Sequence, residues 1–297
     1  ISLGLVGSEM CIRDRKKIDP WNSDTLVGVH STGKGIISMI VALLIDQKRL
    51  SLDEYVSTYW PEFKGDDKEK IQVRTLLSHQ AGMYAWREKV HEEDFHNWGY
   101  VVELLEKQCP FHKPNELICY HPKTIGFLVG ELIKRITKQS IGEFLKEQIS
   151  TPLNVDCFIG TPEIYHDNIA TLISSPSLRK AFSDPKNIDE YTLVSFLNPG
   201  NRTKTANTKE YRLAEIPALN CHSNSKSLAQ IYDYFLNSDF ISRETFDQVT
   251  SIEVKGEDQV MKRPMQWSPI GFSIGGGKLF GKSNLSFGHT GCLLYTS

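Results

Sequence analysis

The sequence predicts an α+β fold, and three observations carry that reading. A strand-like segment, Thr25 to His30, runs into a helix-periodic apolar stretch. Helical patterns fill the middle of the chain, and two strand-like segments, 270–274 and 285–289, stand near its end around the glycine turn 275–278.

Each element has its own signal. From Ile36 the apolar positions Ile36, Ile37, Ile40, Val41, Leu43 and Leu44 recur at helical spacing, and the pattern fades near 46–49, which places Ser31 at a helix N-terminus. Short helices are expected at Thr75 to Ser78 and Val101 to Gln108. A longer one is expected over Thr124 to Thr137, with Ile125, Leu128, Val129, Leu132, Ile133 and Ile136 on one face. Ser140 and Glu143 form a capping-box pair that opens a helix carrying 144–149. The polar, turn-rich stretch 184–209 reads as a surface excursion. Another amphipathic helix follows Ser223, carried by Leu228, Ile231, Tyr232, Phe235 and Leu236.

Bulk properties exclude several classes. The 297 residues are 40% hydrophobic and 24% charged, an ordinary globular balance that allows one large domain or two small ones. A net charge of −2 supplies no electrostatic footprint for a phosphate backbone, so no nucleic-acid partner is expected. The longest apolar run, Ile36 to Ile45, is about half of the roughly 20 residues that a transmembrane helix needs. Six cysteines without a CxxC pair point to reduced thiols rather than a disulfide scaffold. The compartment is open, with a soluble, cytoplasmic protein slightly favoured.

A serine followed three residues later by a lysine occurs four times, at Ser31, Ser177, Ser183 and Ser223. Ser177 and Ser183 lie in polar sequence with no apolar helix behind them. Ser223 does precede a helix, where it is expected to act as an N-cap. Only Ser31 has a strand before it and an apolar helix behind it. On a helix the spacing of three would set the Lys34 amine beside the Ser31 hydroxyl, where it can take the proton.

Other segments join this pair. Ser31-Thr32-Gly33-Lys34, Tyr120-His121-Pro122 and His289-Thr290-Gly291 follow one another in the order of the SxxK, tyrosine and KTG or HTG motifs, so the chain resembles the serine β-lactamase, penicillin-binding-protein and related esterase superfamily. Asp24 to Gly35, Arg74 to Gly82 and Glu215 to Asn220 are similar to further segments of that superfamily, the last to its esterase and eukaryotic β-lactamase-like branch. The resemblance implies a β-lactamase/transpeptidase-like fold, an antiparallel sheet flanked by helices, in a single domain over 16–291 with a helical insertion over roughly 50–250.

It also implies a serine hydrolase with an acyl-enzyme. Ser31 would be the nucleophile, Lys34 the base and Tyr120 the second member of the proton relay. His289, Thr290 and Gly291 would line the opposite wall, with the backbone amides of Ser31 and Cys292 as the oxyanion hole. Pro122 stands where β-lactamases commonly carry an amide-bearing asparagine. The expected substrate is therefore a small-molecule ester or amide rather than a β-lactam, with no cofactor and no metal. The alternative is a catalytically silent scaffold on the same fold.

Gly271-Phe272-Ser273-Ile274-Gly275 matches the GxSxG nucleophile elbow but lacks an acidic residue between Ser273 and His289. His91, Glu92, Glu93, Asp94 and His96 read as a solvated acidic loop, and His79 and His121 as structural or supporting residues. Residues 7–15 and 292–297 resemble translated sequencing-adapter sequence, so 1–15 and 292–297 are set outside the fold. On that expectation the chain is a fragment lacking terminal strands, unstable and inactive by itself although its parent protein is active.

Overall fold

The computed structural model describes residues 22–172, 188–200, 203–275, 283 and 285–291. Strand β1 (Val27–Gly28) leads through a 3₁₀ turn, His30–Thr32, into helix α1 (Gly33–Asp46). Helices α2 (Val56–Tyr59), α3 (Val73–Leu77), α4 (Trp98–Lys107), α5 (Thr124–Thr137) and α6 (Ile141–Leu145) follow. A π-turn, Lys146–Ser150, and a short α7 (Thr151–Leu153) come next, then β2 (Cys157–Phe158). Beyond them lie α8 (Glu190–Leu197), α9 (Thr203–Ala206), α10 (Lys209–Leu213), β3 (His222–Ser223), α11 (Ser225–Asn237) and α12 (Arg243–Val249). Strands β4 (Val254–Asp258), β5 (Arg263–Trp267), β6 (Ser273–Ile274) and β7 (Phe287–Gly288) complete the described chain.

The strands form two antiparallel sheets. One has the order β1-β3-β2, with Val27 opposite Ser223 and Cys157 also opposite Ser223. The other runs β4-β5-β6-β7, with Asp258 opposite Arg263, Trp267 opposite Ser273 and Ser273 opposite Gly288. The β4-β5 hairpin carries no alternating apolar pattern and goes unread in the sequence. Its described faces alternate half-buried and exposed until Asp258, Met265 and Trp267, which turn inward.

Helix α1 is the axis of the molecule. Every residue from Gly33 to Leu44 is buried, so this helix is enclosed on all sides rather than striped, as an apolar helix at a protein's centre must be. Helix α5 spans the predicted range and buries Thr124 to Ile133 in the same core. Two close approaches set its position. A Cβ added at Gly126 would lie 2.5 Å from the Ala218 nitrogen, and one added at Gly130 would lie 2.4 Å from the Trp98 ring.

One expectation is corrected and another is refined. Ser223 is not an N-cap: it lies in β3, its hydroxyl donating to the Asp156 carbonyl at 2.7 Å, while Asn224 caps α11 by accepting from the Ser227 N–H at 2.8 Å. The described part of 184–209 lies mostly at the surface, as expected, but is helical rather than turn-rich. The Asp189 side chain caps α8 through the Tyr191 N–H, and the Asn198 amide donates to the Trp86 and Glu88 carbonyls, tying the segment to the body. The polar residues that made this stretch look loop-like serve as caps and tethers. The regular elements described within 50–250 are mainly helices, together with β2 and β3.

Among the described residues no helix is long and apolar enough to cross a membrane. Cys109, Cys119, Cys157 and Cys221 are free thiols.

Candidate active site

After β1 the chain turns at His30, whose φ of 47° lies in the left-handed region, a conformation that disfavours an L side chain by about 1–2 kcal/mol. The corner is held by the Val29 N–H donating to the Cys221 carbonyl at 2.8 Å and the Thr32 N–H donating to the Val29 carbonyl at 3.1 Å. Such a fixed corner at the mouth of a helix is how local strain comes to serve a site. It delivers Ser31 in the 3₁₀ turn that leads into α1.

One turn further on, the Lys34 ammonium donates to the Ser31 hydroxyl at 2.7 Å and to the Ala218 carbonyl at 3.0 Å. The lysine side chain is buried. Burial holds its pKa well below the ordinary lysine range, and the positive charge of Lys123 adds to the shift. A neutral amine in this place accepts from the serine hydroxyl instead of donating to it.

Tyr120 closes the group from the second hydrophobic cluster, which joins the β-hairpin to the helical body. Its N–H donates to the Asp258 carboxylate at 3.1 Å. Its ring stacks on Trp267, with centroids 5.6 Å apart and planes within 1°, and on His289 at 5.8 Å. The Lys34 nitrogen lies 5.3 Å from the Tyr120 ring centroid. Burial pushes the phenol above its ordinary pKa while the adjacent Ser31 hydroxyl pulls the other way. His79, edge-on to Tyr120 and Trp267, and His121, which accepts from the Met83 N–H, wedge the tyrosine from behind.

His289 follows β7 and faces this cluster. Its Nδ1 lies 2.8 Å from the Thr290 carbonyl, which fixes the proton there and leaves Nε2 as a buried, unpartnered acceptor among the described residues. Burial and the Lys34 charge lower its pKa to about 3. Gly291 passes so near the Ser31 corner that a Cβ there would lie 2.5 Å from the Val29 carbonyl and 2.6 Å from the Thr32 hydroxyl. Thr290 joins Tyr120, Arg263, Met265, Trp267, Ser273 and His289 around a small crevice. The structure thus brings Ser31, Lys34, Tyr120 and the segment 289–291 that follows β7 together. Cys292 lies outside the described residues, as do Ser177 and Ser183.

Ser273 sits within β6 and pairs into the sheet, so it is not at a strand-to-helix elbow. Asp94 spends its carboxylate on the His91 N–H at 2.7 Å, capping a short 3₁₀ turn. Among the described residues no group of three His, Cys, Asp or Glu side chains gathers as a metal site would require.

Sequence reading missed four contributors. The Ala218 carbonyl has no side-chain signature. Lys123 stands in the quoted tyrosine segment and donates to the Phe196 carbonyl at 2.7 Å and to the Pro199 carbonyl. Trp267 and Asp258 act on Tyr120 from far along the chain, beyond the reach of any local pattern. The Asp258 carboxylate accepts from Tyr120, Val260 and Met261 N–H groups at 3.1, 3.0 and 3.0 Å. Asp258→Ala leaves three buried donors unmet at about 1–3 kcal/mol each, whereas Asp258→Asn keeps an acceptor. Urea titration is expected to show a loss of several kcal/mol for the alanine variant and a smaller one for asparagine. Equal losses would show that the hydrogen bonds are not what Asp258 supplies.

This arrangement has a family. The beta-lactamase family model matches residues 5–297, and the chain belongs to that family. Over 94% of its length it is 26% identical to the esterase/beta-lactamase LipL of Mycobacterium tuberculosis, covering 67% of that protein. Its fold superposes on a family VIII carboxylesterase with a TM-score of 0.85 and 29% identity, over 93% of this chain and 74% of the other. A penicillin-binding-protein homologue from Caulobacter crescentus gives 0.84 and 28%, over 94% and 75%.

Proposed function

We propose that this chain is the catalytic domain of a serine hydrolase that cleaves a small-molecule ester or amide through an acyl-enzyme, the domain running over 16–291. The observation that carries the reading is the 2.7 Å contact between the Ser31 hydroxyl and a buried, charge-averse Lys34 amine.

In the forward step the Ser31 oxygen attacks the substrate carbonyl carbon while its proton passes to the neutral Lys34 amine. The Ser31 backbone amide supports the tetrahedral oxyanion. The proton then travels by way of Tyr120 to the departing alkoxide or amine, the bond to the leaving group breaks, and an ester on Ser31 remains. Water repeats the sequence and releases the acid. Tyr120 suits a relay because its raised pKa keeps it protonated at rest. The esterase names of its relatives, and Pro122 in place of an amide donor, favour a carboxylic ester over a β-lactam.

Labelling the full-length protein with a fluorophosphonate probe tests this. Covalent adduct on the wild type, and none on Ser31→Ala, is the expected result. Labelling of the wild type no greater than that of Ser31→Ala would sink the hydrolase reading and favour a silent scaffold on the same fold.

A further inference from the structure

A second cavity, of about 230 Å³, opens between α4, α5 and α6 and is lined by Glu215, three residues before Ala218, whose carbonyl accepts from Lys34. That is below the roughly 300–1,000 Å³ of drug-sized sites and suits a ligand of a few heavy atoms. Phe95, Trp98 and Ile141 form its apolar surface over Gly130, the glycine whose missing side chain lets α5 meet the Trp98 ring. Glu215 supplies its polar wall: one carboxylate oxygen accepts from the Ser140 hydroxyl at 2.6 Å and from the Gly142 N–H at 3.2 Å, which fixes the group in place. The exposed Lys134 stands at the rim, near enough for its charge to act on Glu215. A fixed carboxylate, a mobile ammonium and an aromatic wall around one small cavity call for a ligand with both charges and a short apolar body.

We propose that this cavity binds a free α-amino acid with an apolar side chain, its ammonium against Glu215, its carboxylate against Lys134 and its side chain against Phe95 and Trp98, and that occupancy is felt at Lys34. The path is short. Glu215 and Ala218 belong to one rigid segment, in which the Asn220 side chain accepts from the Ile216 N–H and donates to the Tyr211 and Ala214 carbonyls. Gly126 of α5 abuts Ala218 one helical turn from Gly130. A ligand ammonium on Glu215 competes with the Ser140 hydroxyl and Gly142 N–H that hold its carboxylate, so the segment shifts as a unit and Ala218 with it, which lengthens the 3.0 Å contact between its carbonyl and Lys34. The site stands independently of the proposed hydrolase activity, and only the felt effect rests on it.

Calorimetry of the full-length protein with L-leucine, isoamylamine and 4-methylpentanoate separates the charges. Saturable leucine binding is expected, at least ten-fold tighter than either single-charge analogue. It should weaken at least ten-fold in Glu215→Gln and in Lys134→Gln and persist in Ser31→Ala. Saturating leucine should lower kcat on an aryl ester at least two-fold. The site is overturned by an absence of saturable binding, by equal affinity for isoamylamine, or by loss of binding in Ser31→Ala, which would put leucine in the catalytic cleft. An unchanged kcat at saturation overturns the coupling. The calorimetric results decide the site even if no ester is hydrolysed, so its failure and that of the hydrolase reading are distinguishable.

Discussion

Replacing Lys34 with methionine is expected to lower kcat/KM on an aryl ester by about 10³-fold or more without lowering the unfolding temperature. The two readouts move apart for a physical reason. General-base assistance of a hydroxyl nucleophile contributes roughly 10²–10⁴-fold, and Lys34 is the amine 2.7 Å from the Ser31 hydroxyl, whereas the neighbouring Tyr120 phenol is held protonated. The stability side runs the other way, because a buried amine whose charged form is disfavoured is replaced by an apolar chain of similar length within the α1 core. What methionine forfeits is the donor to the Ala218 carbonyl, worth about 1 kcal/mol net. Lys34→Arg is not expected to rescue activity, since a guanidinium keeps its proton at any working pH. Steady-state rates together with a thermal melt decide the matter. Rates within ten-fold of wild type would remove Lys34 from the mechanism, and a large drop in melting temperature would mean that lost packing accounts for lost rate.

How much of this was legible beforehand follows from what each part depends on. Helix α5 was readable over its full range because its signal is local: an apolar stripe at helical spacing. The Ser140–Glu143 capping box was readable for the same reason and is present with both of its reciprocal hydrogen bonds. Ser31 and Lys34 share a spacing found four times in the chain; the strand before them, the apolar helix behind them and the later motifs single them out, and they touch. Asn224 takes the cap expected of Ser223 because Ser223 is drawn into β3, a two-residue strand that no local pattern announces and that exists by pairing with β1 and β2. The β4-β5 hairpin escaped notice because its inward residues, Asp258, Met265 and Trp267, include a carboxylate that one distant partner, the Tyr120 N–H, holds inside. Asp258 looks like a surface acid until the Tyr120 N–H arrives from 138 residues away. The depressed pKa of Lys34 was likewise unreadable, since it depends on burial and on where Lys123 comes to rest.

The same burial of basic groups makes the fold acid-labile in a calculable direction. His121, His222 and His289 are buried, and desolvation lowers each pKa from 6.5 to about 3. In the unfolded chain each would titrate near its ordinary value of about 6.5. Between those limits the unfolded state binds more protons than the folded one, so the stability these residues confer is whole above about pH 6.5 and is lost as the pH falls. Near pH 5 three such histidines give a slope of about 4 kcal/mol per pH unit, against a typical total stability of 5–15 kcal/mol. His30, lowered to about 4, and His79, lowered well below its ordinary value, steepen it. Asp258 and Glu215 oppose it, because burial raises their pKa values and the folded state then holds their protons longer. Two opposing carboxyls against five histidines leave the sign unchanged. Urea titrations at half-unit steps from pH 7 to 5 are expected to show the midpoint falling steadily, and His222→Asn to reduce the slope by about one proton, or about 1.4 kcal/mol per unit. A midpoint that holds level across that range would mean that these imidazoles are solvated or charged in the folded protein, and the neutral His289 facing Lys34 and Tyr120 would have to be abandoned with them.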